Sequence, residues 1–323
     1  LTHTGLRSNA AAIATYLNLT PSDRGIVTLP LHYCYGLSVL TSHLYAGAAA
    51  IVTDWSVLDP CLWDLARTHR ATGLAGVPHT FDQLDQLGFP EVPSLRYVTA
   101  AGGKLAPERV THYLGLGRSR GWDFYVMYGQ TEATARMAYL PPDLAEAHPS
   151  AVGIPIPGGS LRIDQADNRG VGELVYAGPN VMMGYAHAPA DLAADAALGE
   201  LHTGDLAREI TPGVFEVVGR RSRFAKVFGL RLDLDEIERK LPCTAACVEI
   251  DGVVGVVSPF PHVGTALAEL CDIPCWAVRD VVADVPLTAS GKPDRSAVHA
   301  ILTEAAPEPT PSADVSSVAA LYE

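Results

Sequence analysis

Thr131 and Glu132 stand side by side just beyond a short apolar run, residues 124–127, and offer a hydroxyl and a carboxylate at one turn. The run reads as a buried strand, with Gly129 letting the backbone turn sharply at its end. In an open α/β sheet, ligands bind beyond the carboxyl ends of strands, so these two groups can meet a phosphate oxygen and its divalent cation. Residues 128–132, YGQTE, are therefore a candidate nucleotide site, although the same five also read as an ordinary polar turn leading into a helix. Asp205, in HTGD, is a natural acceptor for two sugar hydroxyls. Lys292 follows a Ser290-Gly291 turn that keeps its loop mobile, and offers a compact charge to a carboxylate and a phosphate.

Elements able to position these residues follow in order. Leu6, Ala10, Ile13, Ala14 and Leu17 fall at helical spacing behind Thr4 as a cap. Strands are predicted at 26–30, in AAAIVTDW, in LAGV and in SLRYVTA, with helices at LHYCYGLSVLTSHLYAGA and PCLWDLARTHRATG, the second stopped at Gly73. The alternation gives an α/β fold. Alternating residues in LRI and ELVY, between turns at 167–168 and 178–180, mark a β-rich subdomain. Beyond residue 222, FAKVFGLRLDLDEIERKL reads as strand, Gly229 turn and helix. Strand signals at CVEI, VVGVVS and CWAVRD then surround an ALAEL helix. A large domain over 1–221 and a small α+β domain over 222–302 are expected. Residues 303–323 read as a Pro/Ala/Ser linker and the start of a further helix.

A chain of 323 residues has length for two domains and a sizeable core. With 48% hydrophobic and 18% charged residues it is a folded protein. The net charge of -13, without a basic stripe, excludes a nucleic-acid surface, so any nucleotide must be held by local groups. No apolar run approaches a membrane span. Cys34, Cys61, Cys243, Cys247, Cys271 and Cys275 are too sparse for a disulfide scaffold, and the two Cys-x3-Cys pairs lie in apolar sequence. They read as small buried hydrophobes in a reducing compartment, so a cytoplasmic location is expected. No Gly-Lys-Ser/Thr loop occurs, which disfavours a phosphotransferase or ATPase of that kind.

Six motifs in order resemble the adenylate-forming (ANL) superfamily of acyl-CoA synthetases, peptide-synthetase adenylation domains and luciferases. They are LPLHYCYGL at 29–37, YGQTE at 128–132, GELVYAGPNVMMGY at 172–185, HTGD at 202–205, GRRSRFAKVFGLRLDLDEIE at 219–238 and PLTASGKPDR at 286–295. The resemblance implies the C-terminal part of a large adenylation domain, followed by a small mobile domain hinged at Ser222. It implies an AMP-forming ligase that uses Mg-ATP to convert a carboxylic acid to an acyl-adenylate and passes the acyl group to a thiol. The shortened C-terminal part, with YCYGLSVL, AGVPHTFDQL and AGGKL, looks like ligases that serve carrier proteins, which favours a carrier-protein phosphopantetheine over CoA.

By the same resemblance Thr131 meets the α-phosphate, Glu132 the Mg2+, and Asp205 with Arg220 the ribose. Gly102, Gly103 and Tyr128 flank adenine, Gly129 and Gln130 complete the nucleotide-binding turn, and Lys292 serves the transition state. Tyr33, Cys34, Gly76, Val77 and His79 border the acyl pocket, with Met137 a further candidate. No carboxylate is placed there to greet an amino group, so a plain amino acid is not favoured. Lys104 replaces a small residue common in the family, where it either meets substrate charge or is simply solvated. The family's Gly/Ser/Thr-rich phosphate loop does not occur in these residues. That leaves open a fragment, a partner supplying the loop, or a non-catalytic nucleotide-binding module.

Overall fold

The computed structural model describes residues 1–305 apart from 187, 190, 192–197, 221, 222, 228, 229, 289 and 290. It divides into one unit of Leu1–Ser222 with Leu287–Lys292 and another of Arg223–Pro286 with Pro293–Glu323. The expected hinge Ser222, the turn residue Gly229, Ser290 and the stretch 306–323 lie outside the described residues.

The first unit opens with α1 (His3–Tyr16) and then alternates strand and helix. In order come β1 (Arg24–Val27), α2 (Cys34–Tyr45), β2 (Ala49–Val52), α3 (Pro60–Thr68), β3 (Gly73–Gly76), α4 (Pro78–Leu87), β4 (Tyr97–Ala100), α5 (Pro107–Arg120) and β5 (Asp123–Tyr128). These five strands run parallel in the order β2-β1-β3-β4-β5, so the direction of growth reverses between β1 and β3. That is a doubly wound arrangement, which opens a crevice at the carboxyl edge of the strands. Two antiparallel strands, β6 (Ala138–Leu140) and β7 (Ile154–Pro155), extend the sheet, with α6 (Pro142–Ala147) between them.

Both faces of the sheet are covered, and the strand period shows how. Phe124 packs with Phe81, Tyr113 and Leu84 on one side, while its neighbours Tyr125 and Met127 pack with Ile13, Tyr35 and Val39 on the other. Leu74 and Ala75 of β3 divide the same way. Strands buried on both faces have no polar side to show, which is why they read as unbroken apolar runs.

Local signals were misplaced at two points. Thr2, not Thr4, caps α1, its hydroxyl accepting from the Gly5 amide at 2.8 Å. Gly73 does not stop α3, which ends at Thr68. Gly73 opens β3, where a Cβ would overlap the Tyr97 ring.

An antiparallel sheet of β8 (Ser160–Asp164), β9 (Gly172–Ala177), β10 (Leu201–Thr211) and β11 (Val214–Arg220) completes this unit, in the order β11-β10-β9-β8. The second unit begins with a hairpin of β12 (Phe224–Val227) and β13 (Leu230–Asp233), so LRLD forms a second strand instead of leading straight into helix. Then follow α7 (Leu234–Lys240), β14 (Ala246–Ile250), β15 (Val253–Ser258), α8 (Val263–Cys271), β16 (Val278–Val282) and α9 (Arg295–Glu304). Glu238 of α7 accepts from both Arg223 and Arg295 and ties the start of this unit to its last helix. The helix α9 runs on through Glu304, past the start of the linker expected from 303, because Leu302 is still buried against Val257 and Ile250.

Candidate functional site

Parallel strands end at one edge, so the loops that follow them must meet there. Tyr33 and Cys34 start α2 after β1; Gly76 closes β3, and Val77 and His79 begin α4; Gly102 and Gly103 follow β4; residues 129–132 follow β5. A Cβ on Gly102 would lie 2.5 Å from the Tyr33 hydroxyl and 3.1 Å from a Val77 methyl, and one on Gly103 would lie 2.9 Å from the Pro78 ring. The room Gly102 leaves is therefore taken up by two acyl-pocket candidates, and the room Gly103 leaves by the proline between two others. Burial pushes the Tyr33 phenol up to about 12, with the neighbouring Cys34 adding to it, so it is a neutral hydroxyl at physiological pH. The Thr131 hydroxyl donates to the Cys34 sulfur at 3.3 Å.

The YGQTE segment is the head of a hairpin. Tyr128 of β5 pairs with Ala138 of β6, and Thr131–Ala133 is a single 3-10 turn, not the start of an α-helix. Gly129 does not turn the chain with a left-handed φ; its role is close approach, because a Cβ there would overlap the Ala135 carbonyl oxygen and press on its carbon at 2.7 Å. Gly129→Ala is expected to destabilise the fold by about 1–3 kcal/mol, as overpacking against a fixed backbone does. Thermal melting checks this, and an unchanged midpoint would contradict the close approach.

Asp205 lies within β10, at an irregularity between His202 and Leu206, rather than in a turn. It sits directly across from Arg220 of β11, whose Nε donates to Oδ1 at 2.7 Å. On the other oxygen it accepts from the Tyr128 hydroxyl at 2.5 Å and from Gln130 Nε2 at 3.1 Å, and Gln130 also bonds the Thr203 carbonyl at 2.9 Å. Asp205 is 3% exposed, whereas Arg220 is half exposed. Burial and the Asp205 charge hold the Tyr128 phenol well above its ordinary value, so it remains a donor.

Glu132 is gripped from the loop that follows β9. Its Oε1 accepts from the Tyr185 hydroxyl at 2.5 Å, and its carbonyl accepts from the Met182 amide at 2.7 Å. Tyr185 lay inside a quoted motif without an assigned task. No local spacing signals the contact, which spans 53 residues.

Lys292 ends the short segment grouped with the first unit. The Thr288 amide donates to its carbonyl at 2.7 Å and the Gly291 amide to the Thr288 carbonyl at 2.9 Å. A Cβ on Gly291 would lie 3.2 Å from Val77 and 3.3 Å from His79. Surrounding protein lowers the Lys292 pKa, helped by the Arg220 charge and opposed by Cys34, Asp205 and Glu132. Lys292, Arg220, Thr131, Glu132, Gln130, Gly129, Thr203 and Gly204 line one cavity of about 270 Å³.

Other expectations fall outside this cluster. Met137 is 0% exposed and packs with Ala133, Tyr176, Val181 and Leu201, because the hairpin turns it under the loop; it is core, not pocket wall. Lys104 is neither aimed at the cavity nor simply solvated, since its ammonium donates to the Val217 carbonyl at 3.0 Å. Of the cysteines Cys247 is buried, but Cys61 and Cys275 are exposed. No metal-ligating cluster of three or more occurs among the described residues, and no helix among them is long and apolar enough to cross a membrane.

A family profile described as AMP-binding enzyme matches residues 1–186, more than half of the chain. The 2-succinylbenzoate–CoA ligase of Staphylococcus aureus strain MRSA252 is 29% identical over 193 residues, which are 60% of this chain and 38% of that protein. The O-succinylbenzoate coenzyme A synthetase of Bacillus subtilis in complex with AMP superposes with a TM-score of 0.72 at 22% identity, over 91% of this chain and 64% of that one. An amide bond synthetase from Marinactinospora thermotolerans does so with a TM-score of 0.69 at 23% identity, over 92% of this chain and 65% of that one. The two solved structures share the fold, and the chain spans less than two thirds of each relative. With the profile match covering the strands that carry the YGQTE hairpin, the chain belongs to the AMP-binding enzyme family.

Proposed function

We propose that this protein takes part in AMP-forming activation of a carboxylic acid, followed by transfer of the acyl group to a thiol. The observation that carries the reading is the gathering of Thr131, Glu132, Arg220 and Lys292 around one cavity at the carboxyl edge of the sheet, with Asp205 bonded to Arg220 and Gln130 on its wall. At about 270 Å³ the cavity lies near the lower end of small-molecule pockets, which run from about 300 to 1,000 Å³. Among relatives of the same fold, solved structures hold ATP with a magnesium ion and an acyl-adenylate intermediate.

The residues present suit that chemistry. A hydroxyl and a carboxylate, Thr131 and Glu132, form an oxygen donor set appropriate to a hard divalent cation, and Glu132 is the residue we assign to Mg2+. When bound, Mg2+ would offset phosphate charge. Asp205 accepts from the ribose hydroxyls and Arg220 fixes its carboxylate from across the strand pair. A substrate carboxylate attacks the α-phosphorus already as an anion, so no general base is required and the protein works by position and charge. Lys292 brings its ammonium to the point where carboxylate and α-phosphate oxygens approach. Tyr33, Cys34, Val77 and His79 border the acyl side, and Gly102 and Gly103 the adenine side.

For the acceptor, relatives named as CoA ligases favour CoA, and the carrier-protein preference drawn from the motifs finds no support among them. Pyrophosphate release measured against a panel of carboxylic acids, with CoA or a phosphopantetheinylated carrier protein added, tests the whole reading. Release that requires an acid, followed by thioester formation, is the expected result. Mg-ATP binding without release on any acid would instead leave a nucleotide-binding module.

A further inference from the structure

The loop after β9 reaches back to the hairpin that carries Thr131 and Glu132. Asn180, 1% exposed, donates from its side-chain amide to the Ala133 carbonyl at 2.6 Å and to the Arg136 carbonyl at 3.1 Å. Its Oδ1 accepts from the Tyr176 hydroxyl at 2.7 Å, and its own carbonyl accepts from the Thr134 hydroxyl at 2.7 Å. Asn9 of α1 adds a second donor to the Arg136 carbonyl at 2.8 Å.

The segment held in this way also bonds within itself, the Ala133 and Ala135 amides to the Gln130 carbonyl and the Thr134 amide to the Thr131 carbonyl, but its backbone is a costly one. Thr134 and Ala135 have φ of 57° and 90°, a left-handed backbone that side-chain-bearing residues keep only where their surroundings over-determine it. The chain must adopt it because Gly129 and Ala135 come so close across the hairpin. The Ala133 and Arg136 carbonyls on either side of this pair are met by buried side-chain amides.

We infer that Asn180 is a positioning residue for Thr131 and Glu132. It touches neither side chain, but it fixes the backbone from which both project. The inference rests on the nucleotide and Mg2+ roles proposed for those two residues. The amide is required in its donor sense: a carboxylate of the same shape would set acceptor against acceptor at both carbonyls. Tyr176, fully buried, orients the amide by occupying its oxygen.

Two variants test this on the full chain, Asn180→Asp and the milder Tyr176→Phe, which removes one hydroxyl from a filled site. Hydrogen exchange of the Ala133, Thr134 and Ala135 amides reads the turn directly, and calorimetric titration with Mg-ATP and with metal-free AMP reads its use. In Asn180→Asp we expect exchange at these amides to rise and Mg-ATP affinity to fall by about tenfold each, and AMP affinity, which senses Thr131 at its phosphate but not Glu132 at the metal, to fall by about threefold. In Tyr176→Phe the same pattern is expected at about threefold. Unchanged exchange in a folded variant, or equal losses for AMP and Mg-ATP, would overturn the inference. Should Asn180→Asp fail to fold, the Tyr176→Phe result decides alone. Should the wild-type chain bind no Mg-ATP, the functional reading fails by itself, and the exchange data still decide whether Asn180 sets the turn.

Discussion

Replacing Asp205 by alanine is expected to abolish measurable AMP binding and to loosen the β10–β11 pair together. Its carboxylate is the common acceptor for Tyr128, Gln130 and Arg220. Without it the partly buried Tyr128 phenol loses its partner, at a cost of about 1–3 kcal/mol, while the half-exposed Arg220 turns to water and loses little. Two ribose hydroxyls bonded to a charged acceptor contribute about 1.5–3 kcal/mol each, so their loss weakens binding by two orders of magnitude or more. Titration with AMP beside a thermal melt separates the two effects. An Asp205→Ala protein that melts lower yet binds AMP like the wild type would remove Asp205 from the ribose role and leave it a structural one.

Lys292→Ala is expected to lower the rate of acid-dependent pyrophosphate release by about 100- to 1,000-fold, the range found when one preorganised charge is taken from a developing oxyanion. The side chain is exposed, so the fold should be unaffected. The pH dependence has a definite sign. On the proposed role only the ammonium form acts, and its pKa is lowered from the ordinary 10.5 by the protein groups that crowd the ammonium, although the residue as a whole stays accessible, and by the Arg220 charge. Activity is therefore full at lower pH and lost as pH rises through that lowered value. In Lys292→Arg the guanidinium stays charged, so the alkaline loss should vanish even if the planar group fits less well. A kcat/KM profile of the free enzyme shows this. An identical alkaline limb in wild type and Lys292→Arg would assign that titration to another group.

The α/β class was legible because its signals are local. Apolar runs of four to six residues alternating with helical spacing admit few other architectures, and burial of the sheet on both faces explains why the runs are unbroken. Of the residues expected from short motifs to carry chemistry, Gln130, Thr131, Glu132, Arg220 and Lys292 all line the same cavity. Met137 was misread because its hydrophobicity suits pocket wall and core equally. Gly129 was assigned the wrong reason, since a close approach to Ala135 leaves no mark on its neighbours in the chain. LRLD was missed as a strand because its partner lies across the hairpin.

What the sequence by itself determined is the α/β class, most of the elements, and the types of group delivered at each strand end. Those depend on side-chain periods and caps that act within a few residues. Only the tertiary structure decided which groups share an acceptor. Tyr128 and Asp205 are 77 residues apart, and Asp205 faces Arg220 through a register broken by irregularities along β10. A shift of one residue there would turn the carboxylate to the other face of the sheet. Asn180, Tyr185 and Asn9 likewise acquire their partners only when the β9 loop and α1 pack onto the hairpin. Hydrogen bonds to a backbone carbonyl can be made by any nearby amide, so nothing in the residue types alone names the pair.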